Sequence, residues 1–449
     1  MGEPSPASES SAVRELVEAI GSDFAEFDPP PRRTAADGPL GWPGYADQRA
    51  RAHDRTDTGE SVLCGRARLG GREAVLIAFD FAFLGGSVGE EAGARVVGAF
   101  ARARELRLPV ISLVASGGSR MQEGIRALQQ LQAITRACLL AGQDGIPHIT
   151  VLRDPTTGGM WAALGAAADV VLAAPGARVS FGGARVRSAG EDGDDFRAEG
   201  KFADGQVDRI VEESALPEVL AELVALLHPD RSGPEAAPVP AALGARTPPE
   251  TGMRAVERAR AAERPRARDY LDAHFSTRFE ISGDRAGGRD EGMLCGFGEH
   301  DGRVTAFAAQ TGTANTPAGF RTAARLIRLA DRLGLPVLTL VDTPGAANDA
   351  AAERGGVGPA IAEVFGAVAA ARVPVTTLVI GEGGSGGALA LAAPEDTWVT
   401  ADAYFAVIAP ESAAAILKRA PAEVPRLADH LKLRPQDLVE LGFARGIVR

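Results

Sequence analysis

Two kinds of hydrophobic pattern alternate along this chain. Residues 109–114 and 148–153 are nearly continuous apolar runs, which predicts short strands buried on both faces. Residues 93–106 and 122–141 repeat apolar positions at three- and four-residue spacing, which predicts amphipathic helices. The second half gives the same series: helix 320–333, strand 336–341, helix 358–371, strand 375–380. In both series a glycine pair then opens a short helix and another strand follows. Short apolar strands separated by helices predict parallel βαβ units, so the fold class is α/β, twice over.

The two series match residue for residue. RELRLPVISLVASGGSRMQEG aligns with DRLGLPVLTLVDTPGAANDAA and sets Pro109 against Pro336, 227 positions apart. GIPHITVLRDPTTGGMWAALGAAADVVLAA aligns with RVPVTTLVIGEGGSGGALALAAPEDTWVTA. There Pro147 faces Pro374, again 227 apart, and Gly159 faces Gly387, 228 apart. A nearly constant spacing of half the chain indicates a duplicated domain. Residues 229–250, PDRSGPEAAPVPAALGARTPPE, have little periodicity and are expected to be a linker between domains 46–228 and 251–449. Residues 1–45 are rich in Pro, Ala, Ser and acids and are expected to form a flexible arm or a loosely attached helix.

Composition narrows the function classes. The chain is 45% hydrophobic and 24% charged, and it has no apolar run of the roughly 18 residues a membrane helix needs. The start MGEPSPASES has no basic and apolar leader pattern, so a cytoplasmic location is expected. A net charge of -11 argues against a nucleic-acid surface. Cys64, Cys138 and Cys295 are far apart in sequence, so neither a disulfide framework nor a cysteine metal site is expected. Only Lys201, Lys418 and Lys432 are lysines, and none has the Met-Lys-Met context of a biotinylated carrier.

The stretch VTTLVIGEGGSGGALAL, residues 375–391, fits three signatures. Gly381, Gly383 and Gly386 spell the GxGxxG of a dinucleotide turn, and Gly383, Ser385 and Gly387 spell the GxSxG of a hydrolase elbow. The dinucleotide reading lacks a full helix before Pro394, and the hydrolase reading has only His430 downstream to serve as base. Glycines that only permit close helix–strand packing are the bland alternative. The copies share a strand, a loop and a Gly-Gly helix start, Gly158-Gly159 and Gly386-Gly387, with ASGGSRMQE and DTPGAANDA ending the preceding strands. Two such helix starts at one sheet edge make a two-donor pocket for an oxyanion, once in each copy.

These segments resemble the crotonase-like fold, and more closely the carboxyltransferase component of bacterial acetyl-CoA carboxylase. FDFAFLGGSVGEEAGARV, ASGGSRMQEG, VLRDPTTGG and FGGARV are similar to its beta subunit. GDRAGGRDEG, GFRTAARLIRLADRLGLPVLTLVDTPGA, VIGEGGSGGALAL and YFAVIAPESAAAIL are similar to its alpha subunit. The resemblance spans roughly residues 60–225 and 265–445, in the order of a beta-alpha fusion. It implies two tandem crotonase-like (ClpP/crotonase) domains with a ββα superhelix. It also implies transfer of a carboxyl group from carboxybiotin to acetyl-CoA or another short acyl-CoA.

Carried onto this chain, the resemblance gives the N–H groups near Gly118, Ser119 and Gly159 the thioester enolate oxygen, with Gly117 and Gly158 shaping the loops. It gives the N–H groups near Ala346, Gly387 and Ala388 the ureido oxygen of biotin, with Gly345 and Gly386 shaping theirs, and places Ala390 where acyl size is selected. Implied partners are a separate biotin carboxylase and biotin carboxyl carrier protein, with a homodimer or higher homo-oligomer whose sites lie at the subunit interface. No metal is implied. Two departures stand out: no four-cysteine zinc ribbon precedes the first domain, and QTGTANTPAGF, residues 310–320, stands where the family carries a Lys/Arg-rich stretch. The second leaves room for a biotin-independent decarboxylase of malonyl thioesters built on the same enolate pocket, or for a non-catalytic paralogue within an assembly. Arg120, Arg185 and Arg187 are candidates for CoA phosphates, although an arginine is more often simply solvated.

Overall fold

The computed structural model describes residues 12–30, 35–183, 193–229 and 235–449. Arg185 and Arg187 lie outside them. The chain divides into two compact units, Met1–His228 and Pro229–Arg449.

The first unit contains α1 (Ala12–Ile20), β1 (Ser22–Glu26), α2 (Tyr45–Thr56), β2 (Val62–Leu69), β3 (Arg72–Phe79), α3 (Glu90–Leu106) and β4 (Val110–Ser116). It continues with α4 (Gly124–Gln143), β5 (His148–Thr157), β6 (Val170–Ala173), β7 (Val179–Ser180), α5 (Ala198–Ala203), β8 (Arg209–Ile210) and α6 (Leu216–Leu227). Its sheet runs β1-β2-β3-β4-β5-β6-β8, with β7 alongside the end of β5. Strands β1 to β3 pair antiparallel and the rest parallel. Val75, Ile77, Phe79, Val110 and Val114 from the strands pack against Val96, Phe100 and Ile134 of α3 and α4. Continuous apolar strands under helices are what a parallel sheet requires.

The second unit contains α7 (Gly252–Arg260), α8 (Ala267–His274), β9 (Thr277–Ile281), β10 (Met293–His300), β11 (Arg303–Gln310), α9 (Pro317–Leu333), β12 (Val337–Thr343) and α10 (Ala350–Arg354). Then come α11 (Val357–Ala370), β13 (Val375–Gly384), α12 (Ser385–Leu389), β14 (Thr397–Thr400), β15 (Tyr404–Ala406) and, near the end, β16 (Ile447–Val448). The strand order β9-β10-β11-β12-β13-β14-β16, with β15 alongside β13, repeats that of the first unit. Helix ends repeat as well. α3 stops at Arg107 (φ 53°) and α9 at Gly334 (φ 71°), each left-handed residue returning its N–H to the last turn. These caps are 227 positions apart.

Two sequence expectations change. The apolar face of α1, Val13, Leu16, Val17 and Ile20, is buried, and β1 pairs with β2, so residues 12–26 belong to the fold of the first unit rather than to a flexible arm. Within the expected linker, Ala237 is buried among Tyr270, Leu271 and Phe307, and Glu235 pairs with Arg303. That stretch is packed onto the second unit.

Candidate active site

In the first unit β4 ends at Ser116 and the chain turns through residues 117–120. The Gly117 N–H donates to the Gly85 carbonyl (2.9 Å), Gly118 to Ser116 Oγ (3.1 Å) and Arg120 to the Val88 carbonyl (2.9 Å). Among the described residues nothing accepts from the Ser119 N–H. The bridge between Val88 and Ser119 explains this, because parallel pairing uses the groups on either side of Ser119 and leaves its own N–H facing away. Gly118 sits at φ 103°, open to glycine and strained for other residues. Across the gap β5 ends at Thr157, Gly158 turns at φ 67°, and Gly159 opens a short helix whose first amides have no intrahelical acceptor. A Cβ on Gly158 would sit 3.4 Å from the Gly118 Cα, so the two loops touch.

The second unit builds the same corner from different residues. Gly345 (φ 135°) donates to Thr343 Oγ1 (3.1 Å), and Ala347 donates to the Asn315 carbonyl (2.8 Å). Pro344 has no N–H, and the Ala346 N–H is the one left over among the described residues. Asn315 bridges Ala346 as Val88 bridges Ser119, again 227 positions apart. A Cβ on Gly387 would lie 2.4 Å from the Ala346 nitrogen, so only glycine lets α12 approach this loop. The divergent 310–320 segment frames the corner: Gln310 Nε2 donates to the Gly387 carbonyl (3.0 Å) and Thr313 accepts from Thr343.

The two helix starts do not pair as their Gly-Gly dipeptides suggest. Thr156 faces Ser116 and Gly383 faces Thr343, which holds the spacing at 227. The left-handed turn of Gly158 is then matched by Ser385 (φ 54°), and Gly159 by Gly386 rather than Gly387. With Gly384 as N-cap, the Ala388 N–H lies within reach of the Gly384 carbonyl in the i to i−4 pattern, leaving Gly386 and Gly387 as open donors. Ala390 is fully buried.

Two cavities meet at Ser119. One, of about 830 Å³, is lined by Phe81, Leu84, Ser87, Gly117 and Arg178. The other, of about 580 Å³, is mainly apolar, with Leu128, Leu131, Leu139 and Phe181 around Ser119 and Gly159.

Beneath the first loop lies an ion-pair network that sequence reading missed. The Arg120 side chain points into the fold rather than to solvent. It is fully buried and donates to Glu60, Tyr45 Oη, Ser61 Oγ and the Ser87 carbonyl. Burial alone pushes the Glu60 carboxyl up, but Arg120, with Arg49 and the Ser61 N–H behind it, more than offsets this and holds it below the usual range. Burial raises the Tyr45 hydroxyl to about 12, so it stays protonated as a donor to Glu123 (2.5 Å). In the second unit Arg264 and Arg266 both pair with the buried Asp342. No spacing rule links residues 45, 60 and 120, so only the fold brings them together.

Two mixed, largely parallel sheets with one strand order, each carrying a glycine-framed loop opposite a helix start, are the duplicated crotonase-like fold. The transcarboxylase 12S structure, described as a hexamer assembly with hydrolyzed methylmalonyl-coenzyme A bound, superposes with a TM-score of 0.79 at 22% identity, covering 98% of this chain and 87% of that one. The family model for acetyl co-enzyme A carboxylase carboxyltransferase-like proteins matches residues 251–449. The chain is 38% identical over 433 residues to the acetyl-coenzyme A carboxylase carboxyl transferase subunits beta/alpha of Salinispora tropica, covering 90% of this chain and 76% of that protein. It is 33% identical over 415 residues to the probable biotin-dependent acyl-coenzyme A carboxylase beta3 subunit of Mycobacterium tuberculosis, covering 90% and 83%. The chain belongs to the family of biotin-dependent acyl-CoA carboxyltransferases and is an acyl-CoA carboxyltransferase. No described helix is long and apolar enough to cross a membrane.

Proposed function

We propose that this chain moves a carboxyl group from biotin on a separate carrier protein to acetyl-CoA, or another short acyl-CoA, giving malonyl-CoA. The observation that carries this is the single uncommitted N–H in each of two equivalent loops, Ser119 and Ala346, each loop lying against an open helix start. An oxygen that gains negative charge is stabilised by such fixed donors, each worth about 3 to 4 kcal/mol. Ser119 and Gly159 hold the thioester oxygen, with Gly117, Gly118 and Gly158 shaping the turn. Ala346 and the Gly386-Gly387 amides suit the ureido oxygen of biotin, and the space kept by the absent side chain of Gly387 supports that fit. When bound, biotin supplies the carboxyl group; the chain's own part is to orient both oxygens and exclude water. The 830 Å³ cavity is suited to the CoA arm. Activity needs a biotin carboxylase and a biotin carboxyl carrier protein as partners, and a homo-oligomer as the working form.

The retained second corner favours carboxyl transfer over simple decarboxylation, which needs one corner only. The test is incubation of the purified chain with malonyl-CoA, with and without free biotin, following acetyl-CoA by mass. Acetyl-CoA that forms only with biotin supports the proposal. Equal formation without biotin overturns it and makes the chain a decarboxylase.

A further inference from the structure

We infer that the hydroxyl groups of Ser116 and Thr343 are positioning residues that aim the one free N–H of each loop, an inference that rests on the oxyanion roles proposed above. Ser116 is fully buried; its Oγ donates to the Gly86 carbonyl (2.7 Å) and accepts from the Gly118 N–H (3.1 Å). Thr343, equally buried, accepts from the Gly345 N–H (3.1 Å), and its one O–H proton is shared between the Thr313 carbonyl (2.7 Å) and the Gly345 carbonyl (2.8 Å). Every member of this arrangement recurs 227 positions on: hydroxyl, left-handed glycine, carbonyl anchor and bridging residue. Side-chain identity does not recur, since Ser becomes Thr, Gly86 becomes Thr313 and Val88 becomes Asn315. What both halves keep is the bonding, which marks the hydroxyl link itself as the retained feature.

The physical role follows from counting donors. Each loop offers several adjacent N–H groups that compete to face the gap. The hydroxyl takes the glycine's N–H out of that competition and ties the glycine peptide to the segment preceding the helix, Gly86 or Thr313. Only the next N–H, Ser119 or Ala346, is then left to meet an incoming oxygen. Without the hydroxyl, the buried glycine N–H of either loop loses its partner, as does the buried Gly86 carbonyl in the first, and a peptide turn that re-pairs the glycine carries the neighbouring N–H with it.

The experiment uses the full chain and a CoA thioether bearing a nitronate, which carries an enolate's charge, with plain CoA as reference, both by calorimetry. Ser116→Ala is expected to weaken nitronate binding at least tenfold while leaving CoA affinity within twofold, and Ser116→Thr to restore it, since position 343 does the same work with threonine. Thr343→Ala is expected to leave nitronate affinity unchanged but to lower kcat for biotin-dependent turnover of malonyl-CoA at least tenfold, with KM for malonyl-CoA within twofold. Nitronate binding unaffected by Ser116→Ala, or equal losses for nitronate and CoA, overturns the inference. Should Ser116→Ala not fold, Ser116→Cys, close in volume and poor at both bonds, carries the same expectations. A wild-type chain that binds nitronate no more tightly than CoA refutes the oxyanion reading of the first corner itself.

Discussion

Removing the Arg120 guanidinium tests the buried network under the first loop. The side chains of Arg120 and Glu60 are both fully buried, and Arg120 Nη1 and Nη2 lie 3.0 and 2.5 Å from Glu60 Oε2 and Oε1. Arg120→Met deletes that partner and strands a carboxylate whose remaining cation, Arg49, is 3.6 Å away. Breaking a buried pair from one side costs about 3 to 5 kcal/mol. For a unit of this size, at about 2 to 4 °C per kcal/mol, the melting temperature should fall by roughly 6 to 20 °C. The pH response should reverse. In the wild type Glu60 is held below its ordinary value of 4.5, so it binds fewer protons folded than unfolded, and its contribution is present above that pH and lost as acid titrates the folded form. In Arg120→Met burial raises the carboxyl, and stability should instead decline as pH rises toward neutrality. Thermal unfolding by circular dichroism at pH 3, 4, 5, 6 and 7 reads both effects. A fall of less than about 2 °C, or an unchanged slope with pH, refutes the argument, as does a Glu60→Gln/Arg120→Met double variant whose loss equals the sum of the single losses.

Gly387→Ala puts a methyl 2.4 Å from the Ala346 nitrogen and should cut biotin-dependent turnover of malonyl-CoA by about 100-fold, the size of one lost oxyanion donor, with folding checked by circular dichroism. Tyr45→Phe leaves Glu123 without its short hydroxyl donor and should cost about 1 to 3 kcal/mol in urea unfolding. Burial raises the Cys64, Cys138 and Cys295 thiols to about 12, so a thiol reagent should label none of them in the native chain at pH 8 and all three after denaturation. Burial, together with charge repulsion from the neighbouring His300 ring, lowers His274 to about 4, so it takes up protons more readily unfolded; stability should drop as pH falls from 6.5 toward 4, and His274→Gln should flatten that drop in acid titrations.

The repeat was legible because both halves carry apolar strands and helices in the same order, and Pro109 and Pro336 mark the same strand entry. A helix near α1 was legible, but its firm attachment was not, because its buried face, four residues in nine, sits amid Pro- and Ser-rich neighbours that average it away. Pairing Gly159 with Gly387 matched side chains, whereas the backbone matches conformations: Ser385 adopts the left-handed turn that Gly158 adopts. Composition could not reveal this, since serine rarely takes that turn. Arg120 read as a surface cation because its partners Tyr45 and Glu60 come from distant segments. The free N–H groups were reachable in kind from the glycines, but which N–H remains depends on the hydroxyls of Ser116 and Thr343, which no motif marks.

The unbroken 227-residue spacing also bears on inheritance. Both corners are written on one polypeptide, so a cell produces them in a fixed one-to-one stoichiometry from a single translation event, with no separate expression control to set their ratio. Each half thereby preserves a reference copy of the other, and drift in one loop can be read directly against its twin in the same molecule.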